Sequence, residues 1–588
     1  MKKLIKYIGS YKKEAVLAPL FKLLEATFDL LVPLVIAAMI ENGIGVGGDA
    51  GKSYIIKMGL VLLGLGIFGL LFSVVAQYFA ARAAVGFTAD MKGDLFEHMQ
   101  KFSFAQMDSF GTSTMITRMT VDANQVQNGV NMFLRLSLRS PFIVFGAMVL
   151  AFTINTWAGW FFAGTIAILM VIVFALIFIT VPVAKKVQGK MDRVTSLTRE
   201  NLSGVRVLRA FTREDKEKEE FALRQKGLVS TQLKAGTITS LMNPLTYAII
   251  NLALGLFLYQ CRDLVNTDVL TVANVVALVN LMGQILVELI KFANFCITVT
   301  KAIASGNRIQ KVFDMEPVKN DGEMKEFADG ANDAFVRFED VCFEYADAGE
   351  EALSHISFSC KKGDTVGIIG GTGSGKSTLV ALLAGYYPAK SGTVSVAGQP
   401  IGAYDAQFLR GKIRVALQKP VLFAGTVRSN LLMGKEDATE EEMKAALSIA
   451  QCGFLNKNGE DSDSFAPDLD REVEQGGKNF SGGQRQRINL ARAIIGNPDI
   501  LVLDDSSSAL DYATDAKLRR ELAKLHGKTT VVIISQRTSV VEHSDRILVM
   551  DDGGLSAVGS HEELLSNCEL YREIHETQKQ AREGGITA

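Results

Sequence analysis

The sequence is short of several things. Its six cysteines (Cys261, Cys296, Cys342, Cys360, Cys452 and Cys568) are scattered and form no CxxC pair. That pattern excludes a zinc ribbon or a redox dithiol and fits isolated reduced thiols in a protein facing the cytosol. Cys261 and Cys296 lie in apolar stretches and read as packing residues. Net charge is also lacking: 62 Lys and Arg against 63 Asp and Glu leave −1. Nothing general therefore favours nucleic acid or an acidic substrate, and useful charge has to be local. Residues 140–184 contain no charged side chain at all, a run long enough for two bilayer crossings at about 20 residues each.

What is present points the same way. The 588 residues exceed one core, since single cores stop growing near about 250–300 residues. A hydrophobic content of 48% and a mean hydropathy of +0.20 place part of the chain in lipid. Six apolar segments of spanning length occupy residues 16–40, 58–81, 133–154, 158–181, 241–259 and 269–290. Asn155 to Gly159 supply a tight hairpin between the third and fourth, with Trp157 and Trp160 at the expected interface. The connections 82–139 and 185–234 are rich in Lys and Arg, whereas the intervening short loops carry only Lys52 and Arg262. Positive loops stay inside, so both termini and both long connections are expected in the cytoplasm of a multi-pass cell-membrane protein. Helical spacing in these connections predicts that the membrane helices run on beyond the bilayer.

Five lysines in the first 13 residues surround Leu4, Ile8 and Tyr11, which share one helical face. This predicts a short helix on the inner membrane surface. Lys22, Glu25 and Asp29 follow with no small-residue cleavage site, so a cleaved leader is not expected. Gly64, Gly66 and Gly69 match GxGxxG, but inside an uncharged span with no preceding strand. They are read as sites of close helix packing.

Near residue 316 the composition turns acidic and glycine-containing, and 316–334 reads as a linker between a membrane domain, 1–315, and a second domain, 335–588. Beyond it, β-rich runs alternate with helical stretches, the pattern of an α/β fold with a mostly parallel sheet. Gly370, Gly371, Thr372, Gly373, Ser374, Gly375, Lys376 and Ser377 fit GxxxxGK[ST] after the apolar run 366–369. Such a loop turns backbone N–H groups toward phosphate at a helix N-terminus. Lys376 then meets the terminal phosphates and Ser377, with Thr378 next to it, the accompanying Mg²⁺. Further on, Phe480-Ser481-Gly482-Gly483-Gln484 opens a helix, and 500–504 is a buried strand ending in Asp504, placed to hold Mg²⁺.

This order and spacing resemble the ABC exporter family, over essentially the whole chain. The resemblance implies a six-span helical membrane domain with long cytoplasmic extensions, followed by an α/β P-loop ABC nucleotide-binding domain. It also implies ATP and Mg²⁺ as ligands. By the same resemblance Tyr345 stacks on adenine, and Gln418 senses Mg²⁺ and the attacking water. Ser481, Gly482, Gly483 and Gln484 form the signature that binds the ATP held by a partner's phosphate loop. Ser508 to Asp511 link the two sites, residues 472–477 communicate with the cytoplasmic connections, and coupling helices lie near 108–117 and 204–211. A second half-transporter is therefore implied as a partner.

Two residues depart from the family pattern. Asp505 stands where the family usually has the glutamate that polarises water, and Gln536 where it usually has histidine. Asp505 is one C–C bond, about 1.5 Å, shorter, and a misplaced base forfeits much of the roughly 10²–10⁴-fold from general-base catalysis. The chain's own site is expected to bind ATP and hydrolyse it slowly, with a different half-transporter supplying Glu and His. The implied activity is export of amphipathic small molecules, multidrug-like; a nucleotide-gated regulatory or channel-like subunit and lipid or peptide export are the alternatives. Nucleic acid is not an expected partner. Charged residues within spans (Glu25, Asp29, Glu288, Lys291) read either as pairs between helices or as an acidic patch selecting cations.

Overall fold

The computed structural model describes residues 2–267, 269–318, 322–328, 334–345, 348–459, 465–506 and 510–583. Ser508, Ala509 and much of the expected linker lie outside the described residues. The chain divides into two compact units, Met1–Gln100 with Ser113–Glu316, and Lys101–Thr112 with Pro317–Ala588.

The elements of the first unit are all helices among its described residues. Five helical segments there are long and apolar enough to cross a membrane: Lys3–Ile44, Gly48–Gln100, Thr112–Ile154, Tyr247–Asn266 and Val272–Asp314. The expected crossing at 158–181 begins as the shorter apolar helix Thr156–Ile172. Five of the six expected crossings are thus identified as such. Single helices run far past spanning length: Gly48–Gln100 and Glu214–Asn266 each have 53 residues, about 80 Å at 1.5 Å per residue.

Small side chains set how closely these helices approach. Ala18 and Ala26 on the first helix and Ala76 and Ala80 on the second are fully buried, and Phe21 and Phe28 both meet Phe72 beside them. A Cβ on Gly129 would fall 2.1 Å from the Cβ of Ala302, so only glycine permits that contact. By contrast, among the described residues nothing beyond the helix's own backbone and the adjoining residues lies within 4 Å of a Cβ built on Gly64, Gly66 or Gly69. The packing expected of that GxGxxG stretch falls instead on Ala76 and Ala80, about two to four turns further along.

The hairpin at Asn155 is present. Its backbone is extended, and its side-chain oxygen caps the next helix by accepting from the Trp157 and Ala158 amides at 2.9 and 3.3 Å. Trp157 stacks on Phe257 inside the bundle, while Trp160 is exposed. The N-terminal segment forms a short helix, Lys2–Tyr11. Leu4 and Tyr7 are its buried residues, and the Tyr7 hydroxyl donates to Asp94 at 2.8 Å. Its apolar face is therefore spent on protein.

The second unit is built on a six-stranded sheet in the order Gly554–Gly559, Arg546–Asp551, Thr365–Gly370, Thr530–Ile534, Ile500–Asp504 and Ile413–Ala416. Only the first pair is antiparallel. The three central strands are almost entirely buried, as strands covered on both faces must be. A smaller antiparallel sheet contains Glu351–Cys360, Val336–Glu344, Ser391–Val396 and Gln399–Pro400. In the large sheet Ile534 lies opposite both Ile368 and Asp504. This register brings the carboxyl ends of three strands to one edge, where open α/β sheets bind ligands.

Candidate functional site

The loop leaving Thr365–Gly370 turns through Gly373 and Gly375, at φ +89° and +88°. A side chain is excluded at Gly375 twice over, because its Cβ would also fall 2.6 Å from Leu353 and 2.7 Å from the Ala352 carbonyl oxygen. Gly375 caps the helix Lys376–Leu383, whose free N–H groups face the loop. The Lys376 ammonium donates to the carbonyls of Gly370 and Gly371 at 3.0 and 2.5 Å and to the Ser374 hydroxyl at 3.1 Å. It is folded onto its own loop.

Around this loop is an open cavity of about 350 Å³. Of the predicted residues, Tyr345, Thr372, Gly373, Gly375, Lys376, Ser377, Thr378, Gln418, Asp504, Asp505 and Gln536 line it. The Tyr345 hydroxyl is 3.2 Å from that of Thr378. Ser377 Oγ donates to Asp504 at 3.4 Å, Gln418 to Asp505 at 3.5 Å, and Gln536 to the Thr372 hydroxyl at 3.4 Å. These long contacts leave room between the partners. Ser377 and Asp504 present hard oxygen donors, a pair that suits Mg²⁺.

Electrostatics in the cavity favour a ligand. Burial pushes the Lys376 ammonium below its ordinary range, with Asp504 and Asp505 opposing the shift. Burial also raises the Asp504 carboxyl, helped by the charge of Asp505 and opposed by Ser377 and Lys376. Both ions are held short of water, and an anion near one or a cation near the other relieves that cost.

Asp505 sits in the left-handed region, at φ +46°, an uncommon conformation for a residue with a side chain. Its amide donates to the Ile534 carbonyl at 3.1 Å, so the main chain at the end of one strand is tied to the end of the next. Sequence reasoning missed the support behind Gln536. Gln578, in the C-terminal helix Glu569–Glu583, donates to the Gln536 carbonyl at 2.7 Å and accepts from the Thr538 amide at 2.9 Å. No local spacing announces a contact across 42 residues.

Ser481, Gly482, Gly483 and Gln484 do not line the cavity. Ser481 and Gly482 are exposed. Ser481 caps the helix Gly482–Ile494, and Gln484 reaches back to accept from the Ser481 amide at 2.9 Å, a reciprocal capping box. A helix start rigidified in this way presents its N–H groups to solvent. Short helices also occupy the expected coupling positions, Phe104–Phe110 with Thr112–Thr117 and Val205–Ala210. The first belongs to the second unit, where Phe104 stacks on Tyr386 at 4.4 Å and Asp108 accepts from the Tyr387 hydroxyl.

The charged span residues form a second cluster. Arg139 Nη1 is 2.6 Å from Glu288, and its Nη2 is 2.8 Å from Asp29 and 3.7 Å from Glu25. Lys22 pairs with Glu25 at 2.5 Å, Lys291 with Glu288 at 2.9 Å, and Ser140 donates to Glu288 at 2.9 Å. Three bases therefore face three acids, and Lys22, Arg139 and Glu288 are buried. The geometry fits pairing rather than an open acidic patch: Arg139 pairs between helices, and Lys22 and Lys291 pair within their own.

A phosphate loop at the edge of a buried parallel sheet, on a chain with several membrane-length helices, defines a membrane-embedded P-loop nucleotide-binding protein. Residues 16–289 match the ABC transporter transmembrane region, and residues 353–508 the ABC transporter family itself. The chain is 33% identical to the uncharacterized ABC transporter ATP-binding protein YfiB of Bacillus subtilis, with 98% of each chain covered. It is 32% identical to Rv1273c, an uncharacterized ABC transporter ATP-binding protein of Mycobacterium tuberculosis, over 99% of this chain and 98% of the relative. It is 27% identical to the ATP-dependent lipid A-core flippase of Vibrio vulnificus, over 98% and 97%. The chain belongs to the ABC transporter family. It carries the fused membrane and ATP-binding parts of a half-transporter, and is a multi-pass membrane protein and an ATPase coupled to transport.

Proposed function

We propose that this chain is one half of a heterodimeric exporter of amphipathic small molecules, and that its own ATP site is slow. In this reading the membrane domain covers 1–315 with six spans, the linker 316–334 and the nucleotide-binding domain 335–588, with both termini in the cytoplasm. ATP stacks on Tyr345, its phosphates lie on Gly370 to Gly375 and Lys376, and Thr378 closes the base of the cavity. Ser377, Asp504 and Gln418 would hold Mg²⁺, which neutralises phosphate charge when bound.

The observation that carries the reading is Asp505. Its backbone is pinned by Ile534, so the missing methylene is not recovered by a shift of the main chain. Gln536 across the cavity donates a hydrogen bond but cannot form an imidazolium. The exposed, capped start of the helix Gly482–Ile494 supports a second element: its Ser481 to Gln484 signature serves ATP held by another chain, as helix N-termini bind phosphate. That partner supplies Glu and His at the matching positions. Lipid cargo falls within the same class, as the lipid A-core flippase of Vibrio vulnificus illustrates.

The test is to purify the chain alone and with its co-purifying partner, and to measure ATP turnover. The chain alone should bind ATP and turn over little, and the pair should turn over briskly. Fast, cooperative hydrolysis by the chain alone, abolished by D505N, overturns the proposal.

A further inference from the structure

Three ligating side chains meet on the second unit, apart from the residues of the nucleotide cavity. Glu542 follows the helix Thr538–Val541, His561 opens the helix His561–Asn567, and His575 lies in Glu569–Glu583. One donor atom from each lies within 4.8 Å of the others, and all three residues are partly buried. The His561 and His575 rings stand edge to face, with centroids 5.2 Å apart. Two features indicate a built site. The Nδ1 of His561 is 2.8 Å from the hydroxyl of Tyr571, which is fully buried; this fixes the ring and leaves Nε2 to act outward. The Nδ1 of His575 is buried with no hydrogen-bond partner among the described residues, and a buried polar atom left so is unfavourable unless something occupies it. Glu542 also stands 3.8 Å from the exposed His543, a third imidazole near its carboxylate.

We propose that Glu542, His561 and His575 bind a zinc-class divalent transition-metal ion. Two imidazole nitrogens and one carboxylate oxygen form a borderline donor set that Zn²⁺ accepts, whereas Mg²⁺ and Ca²⁺ prefer oxygen alone. Three protein ligands leave the fourth tetrahedral position to water. Bond lengths of about 2.0–2.2 Å put donor atoms roughly 3.3–3.6 Å apart, so the side chains close by about an ångström on binding, a rotamer adjustment for partly exposed groups. Tyr571 is a positioning residue, orienting His561 from behind as second partners of metal-bound histidines do. The ion ties the C-terminal helix to the segment that follows Gln536, where Gln578 of the same helix already holds the Gln536 carbonyl and the Thr538 amide.

The experiment uses untagged full-length protein in detergent, stripped with a chelator and titrated with ZnCl₂ against a chromophoric competitor. Co²⁺ serves as the spectroscopic probe. About one equivalent per chain should bind, with a tetrahedral Co²⁺ spectrum and a raised melting temperature. E542Q, H561A and H575A should each weaken binding by about 10-fold or more, and Y571F by roughly 10-fold through its positioning role. Absence of a Zn²⁺-dependent melting shift and of a Co²⁺ spectrum in the wild-type chain overturns the proposal whatever the variants do. So does binding that is unchanged in folded H561A/H575A.

Discussion

Two of the charge clusters in this chain are assembled for opposite purposes. Around Arg139, three bases and three acids complete one another and span three helices. Around Lys376, the ammonium rests on the carbonyls of its own loop, while the nearest carboxylates stay at long hydrogen-bond distances from their neighbours. A closed cluster holds helices in register. An open one keeps its desolvated charges for a ligand. The same physics, charge short of water, gives a brace in one place and a receptor in the other.

The comparison breaks most severely at Arg139. Arg139→Met strands Asp29 and Glu288 without their shared partner and should cost about 3–5 kcal/mol, read as a large fall in melting temperature of the detergent-solubilised protein. Neutralising the acids as well, in R139M/D29N/E288Q, should restore much of it; equal instability in both variants would show that Arg139 acts by packing alone. At the open cluster, Lys376→Ala removes charge-assisted hydrogen bonds worth about 1.5–3 kcal/mol. ATP affinity of the chain's own site should fall about 10- to 150-fold, measured with a fluorescent ATP analogue, with melting temperature nearly unchanged.

A smaller gain of function sharpens the picture. D505E with Q536H should raise single-turnover hydrolysis at the chain's own site by about 10-fold or more, a part of what a placed general base contributes, and ATP affinity should hold steady. An unchanged rate would place the slow step elsewhere. Smallest is Gln578→Ala, which removes three hydrogen bonds to the segment 536–538. It should destabilise the second unit by about 1–2 kcal/mol, seen in chemical denaturation, and leave the Arg139 cluster untouched.

Much of the nucleotide cavity was legible because its parts are local. A glycine loop after an apolar strand, and a strand that ends in a carboxylate, are contiguous patterns. Parallel pairing then places Asp504, Asp505 and Gln536 beside the loop. The membrane cluster was only half legible. Glu25, Asp29, Glu288 and Lys291 stand out as charges in apolar runs, but Arg139 reads as the last residue of a basic connection. Its pairing with Glu288 crosses 149 residues, and no periodicity encodes that. Gln578 and the Glu542, His561 and His575 trio were invisible for the same reason. The glycines 64, 66 and 69 misled in the other direction, because a small residue permits close approach without requiring a neighbour. Helix length was foreseen in kind from the charged, periodic connections.

The amide of Asp505 bonded to the Ile534 carbonyl has one more consequence. With the main chain pegged there, the distance between carboxylate and phosphate is set by how many methylenes lie between them. Under the proposed function, turnover at this position would be a dial with one notch per carbon, moved by a single codon change.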